Sequence, residues 1–214
     1  NTQPAILTVS YSIFKVLQDE FNFNFSSSKY FAGHSLGEYS ALVCSGSLDF
    51  SDAVFLLHER GKAMQTAVPV GEGMMIAVLG TKIDTIKDLL KLKKINNSIC
   101  EIANDNADGQ VILSGDKKSV LSFQEILKSK KIKSIPLKVS APFHCSLMND
   151  AAKKMSKKIY DTKFSKPLFD IVCNVTAEPE NNPENIKKLL VEQIASTVRW
   201  RESIIYMSDI GIKN

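Results

Sequence analysis

No stretch of this 214-residue chain approaches the roughly 18 consecutive apolar residues of a membrane-spanning helix, so no membrane role is expected. Cys44, Cys100, Cys145 and Cys173 lie far apart, with no Cys-x-x-Cys pair. That spacing argues against a zinc site or a dithiol redox motif, and free thiols in a reducing compartment fit better than a disulfide framework. No metal or redox cofactor is expected. Internal repeats and low-complexity tracts are absent. The opening residues Asn1-Thr2-Gln3-Pro4 contain neither Met nor a signal peptide. The chain therefore reads as cut at its start, with any targeting segment out of view and a cytoplasmic address as the default. Arginine is scarce: of 27 basic residues only Arg60, Arg199 and Arg201 are not lysine. Histidine is as rare, at positions 34, 58 and 144. The net charge of +4 is modest, and its densest patch (Lys128, Lys130, Lys131, Lys133) reads as a solvated helix end rather than a nucleic-acid site. A mildly basic face also suits an acidic protein partner.

What is present suffices for a globular core, with 44% apolar and 23% charged residues. Apolar positions Ala5, Ile6, Val9, Ile13, Val16 and Leu17 predict a helix with a buried face, and Pro4 suits its first turn. Phe21 to Ser28 reads as a connection. Ser51 or Asp52 is expected to cap a helix from Ala53 to about Thr66, after which Pro69, Gly71 and Gly73 break the chain. Residues 74–139 read as strand, helix (Ile83–Leu92), two strands (Ile99–Ala103, Val111–Leu113), helix (Val120–Leu127) and a last strand (Ile135–Val139). This βαββαβ order predicts a ferredoxin-like subdomain inserted in a larger α/β body formed by residues 1–73 and 140–214. The body resumes with a helix near 148–160, a strand near 169–173, and helices near 185–194 and 200–207.

Gly33-His34-Ser35-Leu36-Gly37 carries the chemistry. Apolar Tyr30-Phe31-Ala32 precedes it and a helical segment from Glu38 follows, so strand, Gly-x-Ser-x-Gly turn and helix form a nucleophile elbow. Both glycines are expected to permit the sharp turn and close backbone approach. The turn lifts Ser35 to the sheet mouth, and the Leu36 N–H at the helix start can stabilise a developing oxyanion. Ser35 needs a base. His34 adjoins it in the turn and is expected to pack or hydrogen-bond beside the site. His58 sits mid-helix next to Glu59 and reads as a surface residue. His144 follows Pro142-Phe143 just after a predicted strand and is the choice for general base. No acid between Ser35 and His144 has a signature of its own, so a carbonyl or amide could orient the histidine. Arg60, in a chain that otherwise uses lysine, suggests a planar fork for a carboxylate.

The segment from Gly33 to Leu42 resembles the nucleophile segment of malonyl-CoA:acyl-carrier-protein transacylases. Thr2-Gln3-Pro4-Ala5, Arg60-Gly61, Met64-Gln65, Ala67-Val68-Pro69, Gly109-Gln110-Val111, Val139 to Cys145 and Val198-Arg199-Trp200 match the same family in order, across essentially the whole chain. The resemblance implies Ser35 as the nucleophile that carries a malonyl ester, His144 as its base and Arg60 as the malonyl carboxylate ligand. It implies a backbone role for Gln193, whose carbonyl would hold His144 in place of a triad acid. It also implies a hydrolase-like α/β body with a parallel sheet, a cleft between body and subdomain, malonyl-CoA and acyl carrier protein as partners, and a monomer without cofactors.

Two departures bear on activity. The family opens with a Gly-Gln-Gly-Ser-Gln loop that supplies a second oxyanion donor, and closes with a glycine-rich segment and a last strand; residues 1–214 contain neither. Loss of one such donor costs about 10²–10³ in rate, so residues 1–214 alone are expected to be poorly active. Phe143 stands where stand-alone bacterial enzymes often have Ser, and a ring there would crowd an α-methyl group, favouring malonyl over methylmalonyl. An esterase or thioesterase with the same elbow, a domain of a megasynthase, and a non-enzymatic scaffold remain the alternatives.

Overall fold

The sequence folds around two separate sheets, and the position of each decides what it contributes to the site. The computed structural model describes residues 1–92 and 99–212. The first sheet has three strands in the order β1 (Tyr30–Ala32), β6 (Asp170–Val172), β7 (Pro179–Glu180). β1 and β6 run parallel, pairing Phe31 with Ile171, whereas β7 returns antiparallel on β6. The expected parallel sheet is therefore mixed, because β6 and β7 are joined by a tight return that forces antiparallel pairing. Around this sheet lie α1 (Thr2–Asp19), α2 (Gly37–Cys44), α3 (Phe50–Thr66), α6 (Asn149–Asp161) and α7 (Pro183–Gln193). Their shared core includes Leu7, Tyr39, Leu42, Leu56, Leu57, Met64, Met148, Met155, Ile171 and Leu190.

The second sheet has four antiparallel strands in the order β3 (Cys100–Ala107), β4 (Gln110–Asp116), β2 (Gly73–Leu79), β5 (Lys133–Pro136). Helices α4 (Ile83–Leu92) and α5 (Lys117–Ser129) cover one face, burying Ile76, Val78, Ile86, Val111, Leu113, Val120 and Phe123. Alternate residues Met75, Ala77, Ala103 and Ile112 point to the other face, where Leu137 and Phe143 pack. Both faces of β2 are thus covered, which is why its sequence is a continuous apolar run.

Several local expectations are corrected. The apolar stripe of α1 faces outward: Val9 is 59% and Ile13 57% exposed. The face that packs is instead lined by Gln3, Leu7, Tyr11 and Phe14, because the helix turns its aromatic and amide side chains to α2 and α3. Helix α1 also starts at Thr2 rather than at Pro4. The cap of α3 is Asp49, whose side chain accepts the Ser51 N–H at 2.9 Å, not Ser51 or Asp52. The last strand of the four-stranded sheet ends at Pro136, not Val139. Proline has no N–H to extend the ladder, and Leu137 donates a final bond to the Met75 carbonyl before the chain leaves the sheet. None of the four cysteines is in a disulfide. No helix among the described residues is long and apolar enough to cross a membrane.

The elbow itself needs only one of its glycines. A Cβ on Gly33 would sit 1.9 Å from the Gly37 carbonyl oxygen, whereas one on Gly37 would meet nothing within 4 Å. Gly33→Ala should therefore destabilise by about 3 kcal/mol, the top of the usual range for overpacking. Gly37→Ala, at the first position of α2, should be neutral or raise stability by up to about 1 kcal/mol. Chemical denaturation of the two variants checks both, and equal losses would contradict the assignment.

Candidate active site

Ser35 occupies the turn between β1 and α2 with φ of +54°, a left-handed conformation that is strained for a residue with a side chain. A buried amide clamps this turn. The Asn174 side chain accepts the Ser35 N–H at 2.6 Å and donates to the Gly33 carbonyl at 2.8 Å. Asn174 follows β6, the parallel neighbour of β1, so the sheet itself delivers the clamp.

His144 also has positive φ, +57°, and is 5% exposed. It lies well past β5 in a loop, not directly after a strand, and this loop is fixed to the four-stranded sheet. Pro142 fills the space beside Gly73, where a Cβ would approach the ring to 2.3 Å. Ser114 on β4 donates to the Cys145 sulfur at 3.6 Å. Glu101 on β3 accepts both the N–H and the hydroxyl of Ser146, at 2.8 and 2.6 Å. His144 Nε2 lies 2.7 Å from Ser35 Oγ, and Nδ1 lies 2.9 Å from the Gln193 backbone carbonyl. A carbonyl can only accept, so Nδ1 carries the proton and Nε2 presents its lone pair to the Ser35 hydroxyl. Burial, and then the positive charge of Arg60, push the imidazole pKa down from 6.5 to about 3. The ring is neutral at ordinary pH, the state a base requires.

Arg60 lies on the inner face of α3 and is 1% exposed. Its Nη1 donates to the Gln3 side-chain oxygen at 2.7 Å, and Nη2 donates to the Gln193 side-chain oxygen at 2.9 Å and to Ser35 Oγ at 3.1 Å. Its Nε has no partner. Every oxygen on this guanidinium is neutral. None of these contacts is a counter-charge, and the buried Glu38 carboxyl reaches the cation only through Gln193, so the site is primed for an anion. Burial lowers its pKa, while Tyr39 and Glu38 raise it, and a guanidinium keeps its proton. Glu59, the adjoining acid, pairs instead with Lys158 at 3.2 Å.

The three residues that sequence reasoning chose thus meet on one oxygen, the Ser35 hydroxyl. Gln193 meets them through both its carbonyl and its side chain. Leu36 caps α2 directly behind the nucleophile. His34 points aside, hydrogen-bonding Asn106 at 2.9 Å and meeting the Trp200 ring edge-on at 5.7 Å. His58 is on the surface near Asn1 and Glu59. Sequence reasoning assigned nothing to Asn174 or to the side chains of Gln3 and Glu38. Gln3 and Glu38 sit within segments that carried the resemblance; Asn174 had no local signal. Among the described residues, no cluster of His, Cys, Asp and Glu could hold a metal ion.

A serine activated by a neutral histidine and flanked by a buried cation is equipped for acyl transfer. The comparisons agree on that class: a family profile described as an acyl transferase domain matches residues 1–212. The malonyl CoA-acyl carrier protein transacylase of Escherichia coli strain K12 is 38% identical over the whole chain, which spans 68% of it. The acyl-carrier-protein S-malonyltransferase of Bartonella henselae superposes with a TM-score of 0.94 at 39% identity, covering 99% of this chain and 68% of its own. A malonyl-transacylase solved in complex with a type II PKS acyl-carrier protein gives 0.93 at 39%, covering 99% and 67%. The chain belongs to the malonyl-CoA:acyl-carrier-protein transacylase family and is an acyltransferase.

Proposed function

We propose that the protein transfers malonyl from malonyl-CoA to the phosphopantetheine thiol of acyl carrier protein through an ester on Ser35, supplying fatty-acid synthesis. The observation that carries this reading is Arg60: a buried cation, met only by neutral oxygens, 3.1 Å from the Ser35 hydroxyl. A malonyl carboxylate there supplies the missing counter-charge and sets the thioester carbonyl beside the nucleophile. Ser35 Oγ attacks that carbonyl as its proton passes to His144 Nε2. The Leu36 N–H steadies the oxyanion, and CoA leaves with the proton from His144. The carrier thiol then gives its proton to His144 and takes the malonyl group by the reverse sequence. Gln193 holds His144 in the working tautomer, and His34 supports the elbow from the side. Phe143 lies at the mouth beside Gln3, Leu57 and Gly61 and would crowd an α-methyl substituent. No metal or redox cofactor enters this chemistry, and every group named comes from one chain.

The same reading divides the chain into a hydrolase-like body (1–73 and 140–214) and a ferredoxin-like subdomain (74–139), with the acyl group in the cleft between them. The strand order β3-β4-β2-β5 with two helices on one face supports the second assignment. Intact mass after incubation with malonyl-CoA tests the function. The expected result is a malonyl adduct that disappears when acyl carrier protein is added. An adduct that hydrolyses at the same rate with or without the carrier would make the protein a hydrolase.

The histidine gives a pH signature. The base works only when unprotonated, and its pKa is held near 3. The acid limb of kcat/KM should therefore lie well below pH 6.5, leaving a flat profile from about pH 8 to about 5. Part of that depression comes from Arg60. Once a carboxylate neutralises Arg60, the His144 pKa rises, so the limb in kcat for malonyl should lie higher than that in kcat/KM. Coincident limbs would contradict the shared field of Arg60 and His144.

A further inference from the structure

Glu38 belongs to the nucleophile segment, yet the reaction above leaves it without a task. It is 1% exposed, in the first turn of α2. One oxygen, Oε2, accepts the Asn174 backbone N–H at 3.0 Å and the Gln193 side-chain amide at 2.8 Å. From these two partners the contacts fan out. Asn174 clamps both sides of the strained Ser35 turn. The Gln193 amide donates also to the Ser35 carbonyl at 3.0 Å, while its oxygen takes Arg60 Nη2 and its backbone carbonyl takes His144 Nδ1–H.

We infer that Glu38 is a positioning residue: its Oε2 fixes the Asn174 and Gln193 amides, and through them holds Ser35, His144 and Arg60 in one register. The inference rests on the acyl-transfer reading of this site. The two ends of a primary amide are nearly the same size and opposite in hydrogen-bonding sense. An acceptor facing Nε2 leaves Gln193 one satisfactory orientation, with its oxygen on the guanidinium. Remove that acceptor, and Nε2 keeps only the Ser35 carbonyl at 3.0 Å and Asn174 Oδ1 at 3.4 Å, so the side chain that grips Arg60 and the Ser35 turn is held less firmly. Its neighbours Tyr39, Ala41, Leu42 and Val43 on α2 are buried hydrophobics, and what the fold asks of position 38 is an acceptor for the buried Asn174 N–H, which need not be charged. Burial drives the Glu38 pKa up, and the Asn174 and Gln193 donors pull it back. The acceptor role needs an oxygen at Oε2 rather than a charge, so an amide should replace it.

Steady-state kinetics with malonyl-CoA and acetyl-CoA on wild type, Glu38→Gln and Glu38→Ala test this, with folded sites counted by intact mass. Wild-type protein that forms no malonyl adduct would overturn the acyl-transfer reading itself. Given a working wild type, Glu38→Ala should lower kcat about 10²-fold for both acyl groups, the scale of a small misplacement, with KM little changed. Glu38→Gln should recover to within about tenfold of wild type. Adding Gln193→Ala to Glu38→Ala should cost nothing further, because both act through one amide. Wild-type kcat in Glu38→Ala, failure of Glu38→Gln to recover, or additive losses would each overturn the inference. Should Glu38→Ala not fold, Gln193→Ala replaces it, since that variant keeps the backbone carbonyl. The same kcat loss is expected, and a wild-type kcat overturns the inference.

Discussion

Ser35→Ala should leave the protein folded and abolish the malonyl adduct that the proposed reaction requires. The hydroxyl is small, and the turn that carries it is held by Asn174 through backbone groups that the substitution keeps. Alanine inherits the same left-handed strain rather than adding to it. The chemistry has no substitute. Ser35 Oγ is where His144 and Arg60 converge, at 2.7 and 3.1 Å, and without it neither has a partner to activate or stabilise. Loss of a serine that acts as a unit with its histidine lowers kcat by about 10⁶. Intact mass after malonyl-CoA treatment reads the result directly. An adduct on the alanine variant would place the nucleophile elsewhere and remove the basis of the mechanism.

Arg60→Ala should separate the acyl groups. Removing one member of a buried, hydrogen-bonded charge pair costs about 2–5 kcal/mol, so malonyl transfer should fall about 30- to 4,000-fold. Acetyl has no carboxylate to pair, and its transfer should be spared or improved. Competition between malonyl-CoA and acetyl-CoA measures the ratio, and equal loss for both would contradict the carboxylate role. Arg60→Met sharpens the argument. It replaces a buried cation that has only neutral acceptors by an apolar side chain of similar length. The exchange removes the desolvation cost of the cation and leaves the Gln3 and Gln193 oxygens without that donor, two opposing effects of similar size. A variant at least as stable as wild type, yet unable to use malonyl, would show that the arginine is retained for its substrate.

The site was largely legible in the sequence because its chemistry uses rare residues in a rigid local motif. The elbow named Ser35 through the strand, turn and helix around it. Scarcity did the rest: three histidines and three arginines left few candidates. Asn174 and the side chains of Gln3 and Glu38 escaped because an amide or carboxyl acquires its role only when sheet pairing brings distant segments together. Asn174 reaches the turn because β6 lies beside β1, a register no local pattern prints. The error on α1 has the opposite origin. Periodicity finds an apolar stripe but not what it faces, and here the packed stripe is the one with Gln3, Tyr11 and Phe14. The βαββαβ order of residues 74–139 was read more readily because it is contiguous in sequence, although β3 and β4 were read too short and β5 was carried past Pro136.

His144 and Phe143 are neighbours on one loop, bolted to the four-stranded sheet at Gly73, Ser114 and Glu101, while Ser35 and Arg60 belong to the layer around β1. The two therefore cannot be adjusted separately. A backbone shift that opens room at Phe143 for a branched acyl chain also draws the imidazole away from the hydroxyl. On the proposed reading substrate range and turnover are mechanically geared, and a change in packing of the four-stranded sheet, far from the chemistry, should move both at once.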